Sequence, residues 1–154
     1  MFGCSQDDVP KTAGNFKTQL LEKTVGRFSL DTVPMKRITL SESSTFVDAV
    51  KKSLDIGSLT PILPHCDTLI VFFVITSEKT YNSVVKRDDA IAMLNETLSD
   101  VFVDTSTFYK SNEPLEDGSL FYKLILDITY NYEKMQMVIG FVMSNGKINS
   151  IYLY

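Results

Sequence analysis

A chain of 154 residues with 44% hydrophobic and 22% charged side chains is the size of one domain and has ordinary globular composition, which excludes general disorder. Fifteen basic residues against 19 acidic ones, a net charge of -4, leave no basic face for DNA or RNA and exclude nucleic acid as a partner. One histidine and two cysteines are too few for a histidine-rich metal site or a disulfide framework, so the expectation is a protein without metal or cofactor.

The first residues, MFGCSQDDVP, bear on address. Phe2-Gly3-Cys4-Ser5 followed by Gln6, Asp7 and Asp8 resembles the cleavage junction of a bacterial lipoprotein. In such a junction a small residue precedes the cysteine that receives the lipid, and a polar tether follows. Gly3 and Cys4 match that pattern, whereas Met1 and Phe2 depart from it. The resemblance implies lipid attachment at Cys4 and a place in the bacterial cell envelope. The alternative is a cytoplasmic protein with an ordinary frayed N-terminus. Either way residues 1–12 read as a flexible tether and residues 13–154 as the folded domain. No apolar run approaches the roughly 20 residues needed to cross a bilayer. The longest, Leu69–Ile75, is the length of a strand.

Ala13 to Arg27 has helical spacing, with Phe16, Leu20 and Leu21 on one side. Val33 to Leu40 reads as a short extended piece that Pro34 confines to a sheet edge. The stretch SESSTFVDAVKKSLDIGS predicts a helix with Thr45 as N-cap and Asp48 three residues on. Phe46, Val50 and Leu54 form its apolar face, with Val47 beside it, and Gly57 ends it. Leu59 to Leu63 is a short apolar turn bounded by prolines. Thr68 to Ile75 is continuously apolar and rich in Ile, Val and Phe, hence a buried strand, and Thr80–Val85 is its return. Asp88 and Asp89 open a second helix whose apolar face carries Ile91, Leu94 and Leu98.

The rest reads as a meander of long strands, Val101–Tyr109, Leu120–Tyr132, Met135–Met143 and Lys147–Tyr154. In Leu120–Tyr132 the even positions are apolar or aromatic. The odd ones include Lys123, Asp127 and Thr129, which gives one dry and one mixed face. Turns are expected at 111–118, near Tyr132 to Lys134, and at Asn145-Gly146, whose residues both tolerate positive φ.

Helices first and long antiparallel strands last make an α+β chain. Two segments, TYNSVVKRDDAIAMLNETL and FVMSNGKINSIYLY, resemble the strand-into-helix unit and the closing hairpin of the NTF2-like superfamily. The resemblance covers residues 45–154 and is closest to small secreted or lipid-anchored bacterial members. It implies a cystatin-like cone: a curved antiparallel sheet wrapped around helices with a pocket inside. Enzymes of the superfamily, such as ketosteroid isomerases and hydratases, place an Asp or an Asp–His pair in that pocket. Here Asp127 is the one candidate base, and the plainer reading is a sheet carboxylate facing water.

Other constellations are weaker. His65, Cys66 and Asp67 are adjacent on an extended chain and point apart, so they cannot share one metal ion. No GxSxG elbow or phosphate-binding glycine loop is present. Cys66 reads as a small buried apolar residue; a bridge to Cys4 would need an oxidising compartment and a Cys4 without lipid. Five of the seven tyrosines lie between Tyr122 and Tyr154, with three methionines among them. They either pack the sheet against the helices or form a binding face, in which Tyr122, Tyr130, Met137 and Phe141 are the candidate ligand-contacting residues. If the apolar odd positions of Met135–Met143 were exposed, they would pair two copies into a homodimer through the sheet.

The expected function is a non-catalytic binding module for a small apolar molecule or a protein. The alternatives are a small isomerase- or hydratase-like enzyme using Asp127, or an acidic cytosolic chaperone or neutralising partner.

Overall fold

The computed structural model describes residues 34–38, 44–76 and 78–154. The tether expected at 1–12, the helix expected at Ala13–Arg27 and Cys4 lie outside the described residues. The order of elements is β1 (Met35–Arg37), α1 (Thr45–Ile56), a 3-10 turn (Thr60–His65), β2 (Cys66–Ile75), β3 (Thr80–Lys86), α2 (Arg87–Ser99), β4 (Phe102–Ser111), β5 (Leu120–Tyr130), β6 (Glu133–Ser144) and β7 (Lys147–Leu153). The strands form one curved, unclosed sheet in the order β1-β4-β5-β6-β7-β2-β3. Every pairing is antiparallel except β2 with β7, which the sequence reading did not foresee. Bulges between Val103 and Thr105 and between Val142 and Met143 interrupt the ladder, and such insertions bend a sheet.

The apolar stripes of both helices lie on the inner face of this sheet. There Phe46, Val47 and Val50 of α1 and Ala90, Ile91 and Leu94 of α2 are buried with the even positions of β5 and the odd positions of β6. Phe46 is the hub: its ring meets Tyr122 at 4.9 Å, Phe141 at 5.7 Å, His65 at 5.8 Å and Phe108 at 6.1 Å. The 3-10 turn is tied to α2 by Asn95, whose Oδ1 accepts the Leu59 N–H at 2.7 Å.

Two boundaries differ from expectation. Ser44, not Thr45, caps α1: its Oγ accepts the Val47 N–H at 3.2 Å. Asp48 is then one place too far for a capping box and faces Lys51 instead. The β5–β6 hairpin turns at Asn131-Tyr132, both at positive φ (50° and 67°), rather than at Tyr132 to Lys134. The Asn145-Gly146 turn falls where expected, with φ of 54° and 76°.

A second apolar cluster sits on the outer face, where Phe73 stacks on Tyr152 at 4.5 Å and Phe121 meets Tyr152 edge-on. The outer face of β4, β5 and β6 nearer the β5–β6 turn is polar. Thr129 and Lys134 donate to Asp104 Oδ2 at 2.8 and 3.1 Å, and these bonds hold the Asp104 carboxyl below its ordinary range.

Candidate functional site

The candidate site is a crevice between α1 and β4, and strand length creates it. β1 pairs only with Tyr109–Ser111 of β4, and the Ile38 N–H makes one more bond, to Phe108 O at 2.8 Å. Among the described residues no strand lies on the edge of β4 opposite β5 from Phe102 to Thr107. At that step a cavity of about 540 Å³ opens. Its helix wall is Val47, Val50, Lys51 and Leu54, the i, i+3, i+4, i+7 stripe of α1. Its other walls are Arg37, Ile38, Ser106, Thr107 and Phe108. A second cavity of about 220 Å³ lies further along β4, under the C-terminal end of α1. It is lined by Leu98, Val101, Leu124 and Leu126 among others, and it shares Leu54 with the first.

The charge in this crevice is one-sided. Arg37 and Lys51 line the larger cavity, and no acidic residue lines either one among the described residues. Lys51 has a largely covered side chain, 29% exposed, with its Nζ 3.9 Å from Asp48 Oδ1. Asp48 is the more exposed partner, so a long stem lies along the cavity while the ammonium reaches toward water.

The residues expected to contact ligand share the inner face, since Tyr122 stands opposite Phe141 and Leu126 opposite Met137. None of them lines either crevice cavity. Tyr122 and Phe141 are packed into the core, and burial raises the Tyr122 phenol above its usual range. Met137 is half-buried beside the core and Tyr130 is exposed at the end of β5. What sequence reasoning missed was the α1 stripe as a cavity wall. Its signal was present in Lys51, a charged residue set among Val47, Val50 and Leu54 on one helix face.

Asp127 lies on the outer face, exposed, where its carboxylate accepts from Thr105 Oγ1 at 2.6 Å and Gln136 Nε2 at 3.3 Å. It takes the plainer role, with the sheet between it and the crevice, and so cannot act there as a base. The odd positions of β6 that a sheet-mediated dimer would use are also taken. Ile139, Phe141 and Met143 are buried against the helices, because that face is the inner one. Only Met135 at the strand's start stays exposed.

The Pro-His-Cys-Asp turn is structural. The His65 ring packs on Phe46, and burial, helped by the positive charge of Lys147, holds its pKa below the ordinary value. Cys66 is a free thiol at no exposure, and burial pushes its pKa to about 11 despite nearby Arg87 and Lys147. Asp67 points to solvent, so the three side chains diverge. No group of three or more potential metal ligands occurs among the described residues. Nor is any described helix long and apolar enough to cross a membrane.

No family model matches the sequence, and no curated protein matches it. Solved structures do match by shape. A candidate SnoaL-like polyketide cyclase from Mesorhizobium loti aligns at a TM-score of 0.51 and 14% identity, over 71% of this chain and 92% of that one. A candidate isomerase from Bacillus subtilis aligns at 0.50 and 10% identity, over 71% and 85%. At such identities the likeness is one of fold: the chain has the NTF2-like fold, with the curved sheet around helices that the two quoted segments implied.

Proposed function

We propose that this protein is a non-catalytic binding module that holds a small apolar molecule in the crevice between α1 and β4. The observation that supports this reading is the cavity of about 540 Å³, walled by Val47, Val50, Leu54, Ile38 and Phe108. That volume falls within the range of small-molecule sites, and such sites are mostly apolar with a few placed polar groups. Ser106, Thr107, Arg37 and Lys51 are the polar groups here. The enzyme alternative needs a base in the crevice, and its one candidate, Asp127, faces the other way. A protein partner remains the alternative occupant.

The test uses N-phenyl-1-naphthylamine, an uncharged apolar fluorophore. The reading expects saturable enhancement of its fluorescence at one site per chain. Replacing Leu54, shared by both cavities, with Trp fills the junction and should abolish that signal without loss of folded structure. No saturable binding, or equal binding by the Leu54→Trp variant, would overturn the reading.

A further inference from the structure

We infer that the crevice is built for a single-chain amphiphile with one anionic head, such as a fatty carboxylate. The head would lie at Arg37 and Lys51 and the tail would run past Leu54 into the second cavity. This rests on the binding reading above and adds ligand class and orientation to it.

Three observations carry it. The two cavities adjoin, because Leu54 lines both. Their shared wall, α1 from Val47 to Gly57, spans about 15 Å at 1.5 Å per residue, which suits an elongated ligand better than a compact one. Polarity is graded along that length. The end at Arg37 and Lys51 carries two cations and two hydroxyl residues, Ser106 and Thr107. The far end carries Leu98, Val101, Phe102 and Leu126 and no charged residue.

In a chain with more acids than bases, a crevice lined by two cations and, among the described residues, no carboxylate is selective. It favours an anion over a cation and disfavours a zwitterion whose ammonium would sit beside Lys51. The Arg37 side chain makes no ion pair or hydrogen bond with the described residues. Its guanidinium is the group suited to a carboxylate, which it can hold through two parallel bonds. Lys51 already has Asp48 at 3.9 Å, so it adds charge at the mouth rather than a dedicated bond.

The experiment is displacement of N-phenyl-1-naphthylamine by dodecanoate and by dodecanol, both below micelle formation, at low and high salt. Dodecanoate should compete about tenfold better at low salt, the worth of a charge-assisted hydrogen bond, and salt should shrink the gap. The variants Arg37→Gln and Lys51→Met should weaken dodecanoate several-fold more than dodecanol. Octanoate should bind more weakly than dodecanoate, by up to about fourfold per methylene that reaches the apolar end.

If the fluorophore binds but dodecanoate and dodecanol compete equally, and Arg37→Gln changes neither, the inference falls and the binding reading stands. An octanoate as strong as dodecanoate would likewise overturn the continuous tail path. If the fluorophore itself does not bind, the underlying reading has failed. Sedimentation with vesicles of phosphatidylglycerol separates a free amphiphile from a membrane. Co-pelleting lost in Arg37→Gln would overturn the inference in favour of a lipid surface, and no co-pelleting supports it.

Discussion

Gly140, in the middle of β6, tests the packing of the outer face. Its backbone is not among those at positive φ, so alanine fits its conformation and only the added methyl is at issue. A Cβ there would stand 2.9 Å from Phe121 Cε1, 3.2 Å from its Cζ and 3.4 Å from Tyr152 Cβ. Carbon atoms prefer about 3.5–4.0 Å, so the Phe121 ring must retreat by roughly half an ångström or more. It has little room to do so. Phe121 is fully buried and edge-on to Tyr152, which is itself stacked on Phe73. Overpacking of this kind costs about 1–3 kcal/mol. Removing a glycine from the unfolded chain returns about 0.4–1 kcal/mol. The net expectation for Gly140→Ala is a loss of about 1–2 kcal/mol, read as a lower urea midpoint at unchanged slope. The cause is checked in a Phe121→Leu background, where a shorter side chain vacates the clash. There the alanine penalty should shrink, with a coupling of at least about 0.5 kcal/mol. A Gly140→Ala protein as stable as the parent, or a penalty indifferent to Phe121→Leu, would refute the argument.

Three further outcomes are expected. Ser44→Ala should destabilise by about 1 kcal/mol through loss of the α1 cap, whereas Thr45→Ala should change the urea midpoint little. In a Cys4→Ser background, Cys66 should resist Ellman's reagent at pH 8 in the native state and react at once in urea. It is buried, and its thiol is held to about 11; a rapid native-state reaction would contradict the placement. The His65 pKa is lowered in the fold, first by burial and then by Lys147. The unfolded chain therefore takes up this proton first, and the neutral ring's stabilisation is present above the unfolded pKa near 6.5 and is lost as pH falls from there through the folded value. A His65→Phe variant should flatten that part of the stability-against-pH curve measured by urea titration, and an unchanged slope would contradict it.

Much of this fold was legible because its signals are local. The alternation in Leu120–Tyr132 assigns the even positions to the buried face; Tyr122, Leu124, Leu126 and Ile128 are buried there, whereas Tyr130 and Tyr132, at the strand's end and in the turn, are exposed. Asn145-Gly146 fixes the last hairpin because few other pairs accept its backbone. The displaced turn at Asn131-Tyr132 escaped notice because tyrosine at positive φ carries no such signature. The parallel β2–β7 pairing escaped for a different reason. It joins segments about eighty residues apart, and nothing within either strand encodes its neighbour. The same limit explains the site residues. Tyr122 and Phe141 are aromatic side chains on the dry face, but the dry face is mostly core, and which part stays unfilled depends on what lies opposite.

What lies opposite is decided at the sheet edge. β4 has ten residues and β1 three, so among the described residues β1 covers one end of that β4 edge and leaves the other without a strand, facing α1 and the end of α2. A helix on a sheet edge closes that gap only if its side chains are large. At Val47, Val50 and Leu54 they are medium-sized and aliphatic, while the aromatic bulk of α1, Phe46, turns into the core. A void of this size costs the fold stability, since lining atoms without partners lose their contacts. The same reasoning gives the Leu54→Trp variant a second expected effect. If the void is a packing defect, filling it should stabilise the protein and remove nothing. If it is a ligand site, filling it should stabilise the protein and abolish probe binding together, the trade expected where function keeps a cavity open.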